Sequence, residues 1–239
     1  MKILRPNFII ESEIDGKEML RNIEKIGRTC YKSEDNITDE SAEKFVASLI
    51  KRGHEAMIEH ESITVRFTVD RGVTHEQVRH RIASFAQEST RYCNYAKDKF
   101  GNEINVIDIS NVMKLEIGKE LTHPVTKEKK VITLDIVMQW IDEWTAAMND
   151  AERHYFNLVN NWCPAQLARS VLTNSTKAEI VITMNLREWR HFFYLRAAKP
   201  AHPQMKEVAI PLLKLIRTLI PVVFDDLVYD KDFETAYNS

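Results

Sequence analysis

Between Arg79 and Arg91 the sequence reads RHRIASFAQESTR, with three cation-capable side chains, Arg79, His80 and Arg81, ahead of the polar run Gln87, Glu88, Ser89, Thr90 and Arg91. Guanidinium forks match the geometry of phosphate, and amide, hydroxyl and carboxylate groups read the edge of a polar ring. So dense a set suits a ligand carrying both. Ser89 has the chemistry of a nucleophile, but no base partner is evident, so it counts as a binding group. Cys93 is read as a packed or idle thiol.

Other groups stand further off. His54-Glu55-Ala56-Met57-Ile58-Glu59-His60 offers two histidines and two carboxylates, but not in the HExxH arrangement, and no other ligand completes a set. A hydrogen-bonded turn or the lining of an organic pocket is the better reading, and no metal is expected. Arg169 is a cation among apolar neighbours in PAQLARSVL, where a snorkelling surface arginine is the simpler account. Arg196 ends a stripe formed by Trp189, Phe192 and Phe193. A guanidinium buried there without a partner would be costly, so an anionic or carbonyl-bearing ligand is expected, with cation–π stacking an equal alternative.

The elements that must position these groups follow from periodicity. Ile3–Ile10 reads as a short edge strand interrupted by Pro6. Asp15–Gly27 reads as a helix closing at Gly27, and Thr38–Arg52 as a helix capped by Thr38 and ended by Gly53. Ser62–Asp70 alternates apolar Ile63, Val65, Phe67 and Val69 with polar residues, the clearest strand in the chain. Thr74 and Gln77 have capping-box spacing, which predicts a helix from Thr74 whose stripe is Val78, Ile82 and Phe85. Arg79, His80 and Arg81 on that helix would splay by ~100° per residue and reach different ligand groups. An extended chain beyond Phe85 would put Gln87, Ser89 and Arg91 on one side, a wall suited to a pyrimidine nucleotide with its phosphate on Arg91.

Further on, Glu103–Ile109 is a possible strand, and Lys114–Lys130 is a charged surface excursion. Leu134–Trp162 is the longest helix, its ladder of Val137, Ile141, Trp144, Met148, Ala151, Tyr155, Leu158 and Trp162 serving core or subunit packing. Lys177–Met184 is a second strand. Asn185, with Glu188 three residues on, caps the next helix. Gln204–Ile220 is a final apolar helix, kinked by Pro211.

The 239 residues include 44% hydrophobic ones, enough for a core, and carry a net charge of −2, which excludes a globally basic nucleic-acid binder. Three widely spaced cysteines form neither a disulfide framework nor a CxxC site. Glu11, Glu13 and Asp15 cut short the apolar start, and no run approaches ~20 apolar residues, so a cytoplasmic protein that does not cross a membrane is expected. Phe85, Tyr92 and Tyr95 near the basic residues leave a non-catalytic nucleotide- or single-stranded nucleic-acid-binding protein as the alternative, opposed by Glu76, Glu88 and Asp98 in the same patch. No Walker loop, dinucleotide GxGxxG or nucleophile triad is present, so an enzyme would take its chemistry from a bound cofactor.

Arg79-His80-Arg81, seven residues, Ser89 and then Arg91-Tyr92 resemble the signature of flavin-dependent thymidylate synthases. The turn Gly53–His60, the QLAR segment Gln166–Arg169, Asn185-x-Arg187, Leu195-Arg196-Ala197 and His202 follow in the same order, so the likeness spans roughly Arg28 to Leu227. The segment AAKPA before His202 is longer than the usual spacing. The resemblance implies one α+β domain over 1–239, an antiparallel twisted sheet flanked by helices, with a variable excursion near 110–131. It implies a homotetramer with active sites between subunits, FAD reduced by NADPH, and transfer of a methylene carbon from methylenetetrahydrofolate to dUMP, giving dTMP. By matched position, His54, Glu59, Arg79, His80, Arg81, Asn185, Arg187, His191 and His202 would serve FAD. Glu76, Arg79, Gln87, Glu88, Ser89, Thr90, Arg91, Arg169 and Arg196 would serve dUMP, with Arg196 catalytic through stabilisation of negative charge on the uracil ring.

Overall fold

The structure, a computed structural model, describes residues 1–97 and 101–238; Asp98 lies outside them. In chain order come β1 (Lys2–Leu4), β2 (Asn7–Ile10), α1 (Gly16–Thr29), α2 (Ser41–Lys51), a 3-10 turn Glu55–His60 and β3 (Ser62–Asp70). Then follow α3 (Arg71–Gln77), β4 (Ala83–Gln87), β5 (Asn105–Ile107), α4 (Ser110–Lys114), β6 (Glu120–Thr122) and β7 (Lys129–Val131). The rest is α5 (Leu134–Asn160), α6 (Ala165–Ala168), a 3-10 turn Arg169–Val171, β8 (Lys177–Asn185), α7 (Leu186–Arg196), α8 (Pro203–Leu219) and α9 (Lys231–Asn238).

The main sheet is antiparallel, in the order β2-β3-β8-β4, which bears out the mixed architecture of an antiparallel sheet with helices. Alternation decides its faces. Ile63, Val65, Phe67 and Val69 of β3 and Ala178, Ile180, Ile182 and Met184 of β8 are buried, while the residues between them are not. Against that apolar face pack Trp189, Phe192 and Phe193 of α7 and the nearly all-buried first half of α8. Each such side chain contributes about 1.5–3 kcal/mol by leaving water. The Trp189 indole N–H donates to the Ile63 carbonyl at 3.1 Å, so helix and sheet are fixed in register as well as packed. A smaller cluster joins Tyr95, Val106, Met148, Tyr155 and Ala168 beneath α5.

Several sequence expectations need correction. The strand expected over Ile3–Ile10 is two: β1 pairs in parallel with β5, and β2 is the edge of the main sheet beside β3, because Pro6 lacks the N–H that would continue one ladder. Helix α1 runs through Gly27 to Thr29. That glycine is needed for close packing, since a Cβ there would sit 2.7 Å from the Phe45 ring of α2. Thr38 does not cap α2 with its side chain; Ser41 Oγ instead accepts from the Thr38 N–H at 2.9 Å. Gly53 does end α2, at a φ of 69°. The helix expected to start at Thr74 starts at Arg71, capped by Asp70 Oδ1, which accepts from the Val73 N–H at 2.7 Å. It ends at Gln77, and Phe85 lies on a strand. The excursion is an exposed β6–β7 hairpin. In α5 the ladder is buried at Val137, Met148 and Tyr155, whereas Trp162 lies beyond the helix and is 95% exposed. Helix α8 continues through Pro211. Among the described residues no helix is long and apolar enough to cross a membrane.

Candidate active site

Helix α3 delivers the Arg79-His80-Arg81 triplet on a turn rather than on a helix face. The His80 N–H still donates to the Gln77 carbonyl, so the chain leaves α3 tightly before entering β4. The turn separates the three side chains by environment: Arg79 and Arg81 are exposed, and His80 is 2% exposed. The His80 ring lies against Phe192 and His191, with centroids 5.1 and 5.3 Å away.

Both ring nitrogens of His80 are engaged. Nδ1 is 2.8 Å from Glu188 Oε1, and Nε2 accepts from Arg196 Nε at 3.3 Å. Burial pushes its pKa down, with the nearby Arg196 and His191 adding to the shift and Glu188 opposing it. Arg196 is anchored twice more, by Nη1 to Glu76 Oε2 at 2.6 Å and by Nη2 to the Glu76 carbonyl at 3.0 Å. The negative charge expected from a ligand is thus supplied by a carboxylate of the same chain. Of its five N–H groups, three have these acceptors and one remains on each terminal nitrogen.

Beside this network opens a cavity of about 570 Å³, lined by Glu59, Ile82, Asn185, Arg187, His191 and Tyr194, among others. Four residues assigned to FAD from sequence are thus brought to one wall: Glu59, Asn185, Arg187 and His191. Asn185 caps α7 by accepting from the Glu188 N–H at 2.8 Å, which puts the N-terminus of that helix at the cavity. Arg187 is held by Glu59 at 2.6 Å. Arg190, also in the lining, is largely buried in a fork–fork pair with Asp226 at 2.6 and 2.7 Å and also meets Glu55 at 3.0 Å. The hydrogen bond from Arg190 holds the Asp226 carboxyl below its ordinary range, and this pair is structural. His54, Arg79, Arg81 and His202 are exposed and do not line the cavity. His202 precedes α8, on the side of Asp70.

The second half of the motif lies at the other end of β4. Ala83 sits opposite Met184, next to the cavity residue Asn185, whereas Gln87 sits opposite Ile180. Four residue steps of strand therefore separate the two ends, about 13 Å. Gln87 Nε2 donates to Thr74 Oγ1 of α3 at 2.9 Å. The extended wall expected beyond Phe85 ends at Gln87, and the chain then turns, with the Tyr92 and Cys93 N–H groups donating to the Ser89 carbonyl. Thr90 is buried and accepts from Arg169 Nη1 at 3.4 Å, so Arg169 joins this end from a distant segment. Arg91 is exposed over the Tyr92 ring. Glu88 is partnered within the chain, accepting from Lys177 Nζ at 2.8 Å and from the Tyr95 hydroxyl at 3.1 Å. Burial and Glu88 push the Tyr95 phenol up.

Sequence reasoning missed Glu188 as a site residue. Its position after Asn185 marked it as a helix cap, but its carboxylate turns to His80 and, at 3.2 Å, to His191 Nδ1. The ligand-type atoms of these three residues lie within 4.8 Å of one another, a closeness their hydrogen bonds explain.

The family model described as thymidylate synthase complementing protein matches residues 14–222, most of the chain. The chain belongs to the flavin-dependent thymidylate synthase family. Among similar members, the flavin-dependent thymidylate synthase of Corynebacterium aurimucosum is 32% identical over 207 residues, covering 85% of this chain and 78% of that protein. That of Geobacter sulfurreducens is 29% identical over 206 residues, covering 83% and 78%. In fold, the chain resembles a UMP/dUMP methylase from Streptomyces cacaoi, solved bound with 5-Br dUMP. That likeness has a TM-score of 0.75 at 20% identity and covers 94% of this chain and 96% of the other. For a member of the flavin-dependent thymidylate synthases, then, the cavity wall and the β4 end are the two places to weigh as ligand sites.

Proposed function

We propose that this protein converts dUMP to dTMP with methylenetetrahydrofolate as carbon donor and NADPH-reduced FAD as hydride carrier, acting as a cytoplasmic homotetramer with sites between subunits. The observation that carries this reading is the placement of Arg196. Its guanidinium is fixed by Glu76 and His80, and α3 links it to Gln87 at one end of β4 while His80 and Glu188 link it to the cavity at the other.

The cavity residues fit a flavin nucleotide. Ile82 and Tyr194 offer apolar contact for a ring, and Asn185, Arg187 and the N-terminus of α7 offer donors for anionic and carbonyl groups. Asn185, Arg187, His191 and Glu59 would hold it there, and the exposed His54, Arg79, Arg81 and His202 would meet it across a subunit boundary. When bound, the flavin supplies the hydride.

The chain's own residues bind and polarise. Arg91 and Arg169 would hold the nucleotide phosphate, and Gln87, Ser89 and Thr90 its polar groups. The two remaining N–H groups of Arg196 would face the uracil carbonyl edge, stabilising negative charge as the ring carbon attacks the donor. Glu76 orients that guanidinium. Purified protein is expected to show a flavin absorbance spectrum that shifts on titration with dUMP; a colourless protein that cannot take up FAD would overturn the proposal.

A further inference from the structure

Arg196 can donate from Nε but cannot accept, and this determines the tautomer of its neighbour. The nitrogen of His80 that faces it, Nε2 at 3.3 Å, must carry a lone pair. In a neutral imidazole the proton is then on Nδ1, aimed at Glu188 Oε1 2.8 Å away. We propose that Glu188 is a positioning residue for the reaction, acting on Arg196 through His80: its carboxylate holds the buried ring in the Nδ1–H form and so keeps Nε2 available to the catalytic guanidinium. The inference rests on the function proposed above, and it assigns a role to a residue that lines the cavity rather than the Gln87 end of β4.

Three observations support it. Glu188 and His80 are both buried, with side chains 8% and 1% exposed, so water does not compete for either nitrogen. Phe192 and His191 pack the His80 ring, leaving a change of tautomer as the ready way to lose the Arg196 bond. Glu188 Oε1 also takes His191 Nδ1 at 3.2 Å, so one oxygen joins the cavity wall to the guanidinium. The groups facing His80 are Glu188, Arg196, His191 and the Phe192 ring. Protonating His80 would put an N–H against Arg196 and release it, and burial resists that by holding the pKa below its ordinary value.

Nitrogen-15 NMR of His80 in the wild-type protein reads the tautomer without turnover. The expected state has its proton on Nδ1, and a proton on Nε2 overturns the proposal. In Glu188→Gln the neutral amide no longer enforces the tautomer, so kcat for dTMP formation is expected to fall roughly 10- to 100-fold, the cost of a displaced catalytic group. The KM for dUMP should change less than about threefold, since the nucleotide end is untouched. Without the carboxylate that favours the imidazolium, the acid limb of the kcat profile should move to lower pH. Unchanged kcat with an unchanged acid limb in folded Glu188→Gln overturns the proposal. Glu188→Asp keeps the charge and should recover part of the loss; a folded aspartate variant as impaired as the glutamine one counts against it. If wild-type protein makes no dTMP, the proposed function fails, while the NMR result still judges the tautomer.

Discussion

Thr74 Oγ1 accepts a hydrogen bond of 2.9 Å from Gln87 Nε2, tying the middle of helix α3 to the far end of strand β4. The same helix holds Arg196 through Glu76, two residues on. One short helix therefore sets the position of both the amide proposed to read the nucleotide and the guanidinium proposed as catalytic. Thr74→Val keeps the shape and removes the acceptor. It should weaken dUMP binding about two- to tenfold, the worth of one neutral hydrogen bond, with flavin content unchanged in the absorbance spectrum.

Arg196→Ala should retain flavin and lower kcat for dTMP formation by about 10²–10³-fold, the usual cost of removing one preorganised donor to developing charge. Arg196→Lys should not restore it, because an ammonium cannot satisfy Glu76 and His80 in the plane of a fork and still present donors to a ring. Wild-type turnover in Arg196→Ala would contradict the role assigned to it.

Cys93→Ala should remain active. The thiol is half-buried and packs against the Tyr95–Tyr155 cluster, a position that suits packing. A folded but inactive variant would point to a thiol mechanism instead.

Glu207 makes stability depend on pH. Burial lifts its pKa from 4.5 to about 7, the charges of Asp108 and Asp70 adding and the Tyr237 hydroxyl, 2.6 Å away, opposing. The folded state thus holds a proton that the unfolded state releases above its own pKa. Stability should fall as pH rises from 4.5 to about 7, then level off. The total is on the order of 3 kcal/mol. Denaturant melts of Glu207→Gln across that range should lose most of this slope; an unchanged slope would place its origin elsewhere.

What was legible in the sequence depended on whether the signal was local. Strand β3 runs over the predicted Ser62–Asp70 because one face is buried and every second residue says so. Asn185 caps its helix as its spacing predicts, since the acceptor and the Glu188 N–H are neighbours in the chain. Helix α3 was placed one turn late. Thr74 and Gln77 have the spacing of a capping box but are buried inside the helix, and the cap is Asp70, the last residue of the preceding strand. Val78, Ile82 and Phe85 imitate a helical stripe, but β4 gains its ladder from β8, roughly a hundred positions away in the chain, and that pairing overrides local spacing. The site shows the same division. The motif residues proposed to bind are recognisable by type and order, whereas the partners of Arg196 and His80 come from contacts across more than a hundred positions, which no local pattern reports.

The most direct measurement is dTMP formation by the purified protein from dUMP, methylenetetrahydrofolate and NADPH, with FAD present and with FAD removed. The account predicts dTMP only when the flavin and NADPH are both supplied. No dTMP from the complete mixture, or equal dTMP after the flavin is stripped, would contradict it.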